Sequence, residues 1–128
     1  MEKKIPGIQM IVDTLRHLFE SKIVVKIEIL EDKEGSNFKM MKLHAELIDS
    51  SNLYITEIQT TSENKYSYHW QAKSGKLVMR WDNAPHWKKL KYFPHHTHYA
   101  DGKIESSNLV TISDILDFIG RKIKKGKG

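Results

Sequence analysis

Five consecutive segments between Ile23 and Asp82 are built for extended backbone, and together they leave little room for a fold without an antiparallel sheet. Ile23 to Glu31 is dense in β-branched residues (Ile23, Val24, Val25, Ile27, Ile29), which pack well on a pleated surface. Asp32 to Asn37, with Gly35 and Ser36, reads as a turn. Lys39 to Ile48 then alternates Met41, Leu43, Ala45 and Leu47 with polar neighbours, and Leu53 to Thr60 follows the turn-like Asp49-Ser50-Ser51-Asn52. Lys65 to Lys73 and Lys76 to Asp82 flank Ser74-Gly75. Short links between such runs predict a meander of about five strands.

Helical spacing appears only at the two ends. Ile8, Ile11, Leu15, Leu18 and Phe19 recur at three- and four-residue intervals behind the breaker Pro6-Gly7. Ile112, Ile115, Leu116, Ile119 and Ile123 repeat the stripe, with Thr111 or Ser113 as N-cap, Asp114 in the first turn and Gly120 as an interruption. The expected fold is therefore α+β, a mainly antiparallel sheet with an N-terminal and a C-terminal helix. A length of 128 residues suits one domain, here residues 1–128 with a short basic, disordered tail at 124–128.

The hairpin register follows from hydrophobic pattern. A two-residue Ser74-Gly75 loop pairs Lys73 with Lys76, and counting back places Trp70 opposite Met79 and Tyr68 opposite Trp81 on an aromatic face. His69 then lies opposite Arg80 and Ser67 opposite Asp82 on a polar face; a four-residue loop would keep the same parity. A slip of one residue would mix Tyr68 and Trp70 with Arg80 and Asp82. His69, Arg80 and Asp82 form either a solvated sheet face or one edge of a site.

Downstream, His86, His95, His96 and His98 supply four of the seven histidines within a few residues. Histidine titrates nearest neutrality, so a pair can take a proton from one group and give it to another, while Arg80 and nearby lysines stabilise phosphoryl charge. In an extended segment His96 and His98 share a face and His95 points away. The same residues, with Asp82, suit a metal, although His-His-Thr-His is no specific zinc spacing. Satisfied or simply exposed histidines are the remaining alternative. Trp87 and Tyr92, interleaved with Lys88, Lys89 and Lys91, are the better candidates for stacking on unpaired bases.

Composition narrows the classes. The chain has no cysteine, which excludes disulfides, thiolate zinc sites and thiol nucleophiles. A net charge of +5 fits a polyanionic partner, although Arg121, Lys122, Lys124, Lys125 and Lys127 also suit the C-terminal end of a helix dipole. No run approaches the roughly 18 apolar residues of a membrane span, nor does Met-Glu-Lys-Lys-Ile-Pro lead into a signal-peptide core, so a cytoplasmic protein without a membrane partner is expected.

Three strings in order, Tyr66-Ser67-Tyr68-His69, Arg80-Trp81-Asp82-Asn83-Ala84-Pro85-His86 and Phe93-Pro94-His95-His96-Thr97-His98, resemble blocks of the TumE-like toxin family of prokaryotic toxin-antitoxin modules. The resemblance covers the middle and C-terminal half. Trp81 stands where the family has Tyr, and Trp87 where a second His is common. The resemblance implies a cytoplasmic toxin inhibited by a cognate antitoxin, commonly a helix-turn-helix protein encoded beside it. Combined with the residues, it gives a toxin of a type II module acting as a metal-independent endoribonuclease, with no cofactor. Arg80, His86, His96 and His98 are the catalytic candidates. His69, Asp82, Trp87, Lys88, Lys89, Lys91, Tyr92 and His95 are the substrate-binding candidates. The partners expected are RNA and the antitoxin, with a homodimer left open. The competing readings are a non-catalytic RNA- or antitoxin-binding module and a His-ligated metal-dependent hydrolase.

Overall fold

Period-two burial dominates the strands, and it settles which side of the sheet meets the helices. The computed structural model describes residues 8–85, 90–109 and 111–126. Helix α1 (Ile8–Glu20) leads into strands β1 (Val24–Glu34), β2 (Phe38–Leu47), β3 (Asn52–Thr60), β4 (Asn64–Gln71), β5 (Leu77–Asp82), β6 (His96–Tyr99) and β7 (Ile104–Ser106), and helix α2 (Ile112–Gly126) closes the order. The strands form one sheet in sequential order, each antiparallel to the next. The α+β expectation holds, with seven strands where about five were expected. The extra pair, β6 and β7, has four and three residues, too short to show a period.

Leu43, Ala45, Leu53, Ile55, Tyr68, Trp70 and Trp81 face the helices and are buried with Ile11, Leu18, Ile112, Ile115, Leu116, Ile119 and Ile123. Each large buried side chain contributes about 1.5–3 kcal/mol of burial, so this face carries most of the stability. Trp81 meets Phe118 of α2 edge to face, with ring centroids 5.6 Å apart. The α2 stripe is buried as its spacing predicts. On α1 the stripe rotates: Ile11, Thr14 and Leu18 are buried, whereas Phe19 is 75% exposed. The reason is polar. Thr14 Oγ1 donates to Glu57 Oε2 at 2.8 Å, which turns that helix face, rather than the Phe19 flank, onto β3.

Thr111 is the N-cap of α2. The Asp114 N–H donates to Thr111 Oγ1 at 3.2 Å and the Ile115 N–H to the Thr111 carbonyl at 3.1 Å, satisfying donors that the first turn would otherwise leave open. The helix continues through Gly120 and reaches Gly126, carrying Lys124 and Lys125 of the expected tail in its last turn. Thr111→Ala is expected to lower the unfolding free energy by about 1 kcal/mol, read by denaturant titration; an unchanged midpoint would remove the cap from this account.

The β4–β5 hairpin keeps the predicted pairs Ser67↔Asp82, Tyr68↔Trp81, His69↔Arg80 and Trp70↔Met79. Its loop differs. The Ala72 N–H donates to the Lys76 carbonyl and the Gly75 N–H to the Ala72 carbonyl, so Lys73-Ser74-Gly75 form a three-residue turn with Gly75 at φ 90°. An odd loop would invert the faces. Gln71 pairs with Leu77 and Trp70 with Met79, so Val78 is an extra residue on β5, a β-bulge that restores the parity.

Candidate functional site

The face of the sheet turned away from the helices carries the polar chemistry in two rows. One row runs His44, Tyr54, His69, Arg80, His98 from β2 to β6, and the other runs Lys42, Thr56, Ser67, Asp82, His96. Side chains directly opposite on neighbouring strands approach within about 4.5–5.5 Å at Cβ, so strand pairing alone gathers these groups. His44 and Tyr54 stack with centroids 4.7 Å apart, and His69 meets Tyr54 edgewise at 6.5 Å.

Asp82 is the hub. Its side chain is buried, yet it is surrounded by compensating groups: His96 Nε2 lies 2.8 Å from Oδ1, His98 Nε2 3.3 Å and Arg80 Nε 3.1 Å from Oδ2, and the Ala84 N–H donates to Oδ1 at 3.0 Å. A carboxylate out of water requires such compensation. The surrounding string explains itself locally. Arg80 and Asp82 alternate with Trp81, which is in the core, and Asn83 ties the strand ends together by accepting from the Tyr66 N–H at 2.9 Å and donating to the Asn64 carbonyl at 2.7 Å.

The histidines divide by face. His96 and His98 point to the polar side with centroids 4.8 Å apart, while Thr97 between them is buried. The His96 side chain is 1% exposed, with Nδ1 2.9 Å from the Pro94 carbonyl. The His98 side chain is 27% exposed. Burial lowers the pKa of His98 most, with His96 and Arg80 adding to the effect and Asp82 opposing it. His95, after the cis Phe93-Pro94 bond, turns the other way: its Nδ1 and the Tyr66 hydroxyl are 2.8 Å apart and the rings stack. Burial and the neighbouring His96 lower its pKa. Burial, then the Asp82 charge, raises that of Tyr66.

Of the residues singled out from sequence, Arg80, Asp82, His96 and His98 converge, and His69 borders them through Arg80. Lys91 and Tyr92 are exposed ahead of β6 and pair with each other, the ammonium 5.2 Å from the ring centroid. His95 belongs to the Tyr66 side. His86, Trp87, Lys88 and Lys89 lie outside the described residues. The hairpin count had already set Ser67 opposite Asp82; sequence reasoning missed Thr56 and the Tyr54–His44 pair, which a register count from β3 to β4 would have placed beside Ser67 and His69.

A metal has one candidate home among the described residues. The ligand atoms of Asp82, His96 and His98 all lie within 4.8 Å of one another, the two-histidine, one-carboxylate donor set that suits imidazole-binding transition metals. Arg80 works against it, since its guanidinium already neutralises Oδ2.

A groove of about 420 Å³ opens beside Arg80 and Asp82, lined also by Thr56, Ile58, Lys65, Ser67 and the Asn83–Pro85 turn. An arginine and a fixed carboxylate on such a groove, with the partly exposed His98 beside them across β5–β6, can bind an anion and move a proton at it. No helix among the described residues is long and apolar enough to cross a membrane. No curated protein and no solved structure matches the chain. The family model described as Toxin TumE matches residues 14–123, and with most of its length and all three signature strings inside that match, the chain belongs to the TumE toxin family.

Proposed function

We propose that this toxin is a metal-independent endoribonuclease of a type II toxin-antitoxin module, held inactive by a cognate antitoxin. The observation that carries the reading is the pair of exposed Arg80 and partly exposed His98, both held against one buried carboxylate, Asp82. Arg80 binds the scissile phosphate and offsets the charge that grows on it. His98, whose pKa is lowered chiefly by burial so that its neutral, proton-accepting form is favoured, takes the proton from the 2′-hydroxyl as that oxygen attacks phosphorus. The 5′-oxygen leaves with a proton from a second acid, for which His86 is the candidate. The products are a 2′,3′-cyclic phosphate and a 5′-hydroxyl.

His96 has a different task in this scheme. It spans Asp82 and the Pro94 carbonyl in a buried position, so it orients the carboxylate that in turn orients Arg80 and His98. The basic charge of the chain adds sequence-independent affinity for RNA.

The Asp82, His96, His98 donor set supports a second reading, a metal-dependent hydrolase. One experiment separates the two. The purified protein is incubated with end-labelled single-stranded RNA in excess chelator, and product ends are identified. Cleavage to a 2′,3′-cyclic phosphate is the expected result. Cleavage only after a transition metal is restored would favour the hydrolase, and RNA left intact under both conditions would leave a binding module.

A further inference from the structure

The floor of the groove beside Arg80 has no role in the chemistry just described, and it is built from small hydroxyl residues. Thr56 and Ser67 sit opposite one another on β3 and β4, and Ser67 sits opposite Asp82. Neither hydroxyl makes a side-chain hydrogen bond to another described residue, although their neighbours on the same row, Asp82 and His96, are bound to each other at 2.8 Å. Flanking rows carry larger groups: Ile58 and Lys65 on one side, Tyr54 and His69 on the other. Two small residues between bulky rows leave a slot, and the Asn83–Pro85 turn walls its end.

We infer that this slot is a base-recognition subsite: it receives the nucleobase adjoining the phosphate held by Arg80, and the Thr56 and Ser67 hydroxyls read the polar edge of that base. The inference rests on the ribonuclease reading for the phosphate position. Four observations favour a nucleobase as occupant. The slot is continuous with the Arg80–Asp82 cluster, so a group bound there remains attached to the reacting phosphate. The groove of which it is the floor, about 420 Å³, falls within the range of small-molecule sites, roughly 300–1,000 Å³. Its lining pairs apolar surface from Ile58, Ala84 and Pro85 with two hydroxyls that can each donate and accept, which suits a flat ring with a polar rim. Finally, cations stand at both ends, Arg80 and the exposed Lys65, whose pairing with Glu63 is a loose 3.6 Å contact, matching the phosphates on either side of a nucleoside.

The consequence is selectivity. A site that hydrogen-bonds one base edge leaves its own hydroxyls unpaired against a wrong base, and discrimination comes from that loss. The test uses uncleavable 2′-O-methyl oligonucleotides, one for each of the four bases plus one with an abasic residue at the central position, titrated against the wild type, the Thr56→Val/Ser67→Ala double variant and Ile58→Trp. All three proteins are checked for an unchanged thermal midpoint. The wild type is expected to prefer one base over the others and over the abasic chain. Removing the hydroxyls is expected to reduce that preference by roughly two- to tenfold per hydroxyl. Filling the slot with Ile58→Trp is expected to cost on the order of 5- to 150-fold for base-bearing oligonucleotides, the range for losing one stacked base, and little for the abasic one. Equal wild-type affinity for base-bearing and abasic chains, no wild-type binding, or a preference that survives in the double variant would each overturn the inference. If the preference is lost as expected while RNA remains uncut in the cleavage assay, the subsite stands and the ribonuclease reading falls. If RNA is cut but the slot variants bind like wild type, the reverse holds.

Discussion

Arg80→Ala and His98→Ala are each expected to abolish toxicity, and to slow RNA cleavage by on the order of 10²- to 10⁴-fold, with the fold intact. The size follows from the tasks assigned: a general base contributes about 10²–10⁴, and removal of one transition-state donor costs about 10²–10³. Both side chains are on the outer face and partly exposed, so truncation opens no cavity in the apolar core, while Asp82 keeps its remaining neighbours. Arg80→Lys should recover only part of the loss, because a lysine cannot bind Asp82 and a phosphate through one planar fork. Growth arrest on expression and single-turnover cleavage measure the effect, and circular dichroism guards against misfolding. A His98→Ala protein as toxic as wild type would remove the histidine from the mechanism.

The second large effect concerns stability. Glu57, on β3, is buried beneath α1, taking hydrogen bonds from Thr14 of that helix and from the Tyr68 hydroxyl of β4. Desolvation outweighs both bonds and pushes its pKa up from 4.5 to about 7. A carboxyl whose pKa is higher folded than unfolded gives stability that is complete below the unfolded value and lost as pH rises through the folded one. Stability from this group should therefore decline between about pH 4.5 and 7, by about 3 kcal/mol in all. His95 and His98, with lowered values, act in the opposite direction: their contribution falls as acid is added through the ordinary histidine range. Comparison with Glu57→Gln separates the two, since that variant cannot ionise. Denaturant titrations at pH 5 and pH 8 should show wild type losing ground relative to Glu57→Gln at the higher pH. Equal pH dependence in both proteins would show that Glu57 stays ionised in the fold.

Much of this architecture was legible in the residues. Tyr68, Trp70, Met79 and Trp81 on one face and His69, Arg80 and Asp82 on the other follow from alternation, and the structure keeps those pairings. The α2 stripe was readable because five apolar residues recur through a long helix. β6 and β7 were hidden because so few residues show no period, and a His-His-Thr-His string signals chemistry more loudly than extended backbone. That omission hid the most informative contact in the site, Asp82 against His96, since only β5–β6 pairing brings them together. Thr56 stayed silent for a related reason: the turn between β3 and β4, Thr60 to Glu63, is closed by threonine bonds to backbone and lacks the Gly or Asn-Gly mark that would have fixed the count. Phe19 shows the limit of a helical stripe read alone, because a buried acid on β3 turned the helix.

The bulge at Val78 also bears on how such a protein can change. Arg80 and Asp82 face outward because one surplus residue sits upstream of them, between a turn that is free to vary and a strand that is not. The turn can therefore gain or lose a residue without disturbing the reacting groups, provided the surplus at Val78 is withdrawn or added in step. A single-residue change at the tip alone would rotate Trp81 into water and Arg80 into the core, so lengths of the 72–76 loop and of the strand after it should drift together among related toxins, as a matched pair of insertions and deletions.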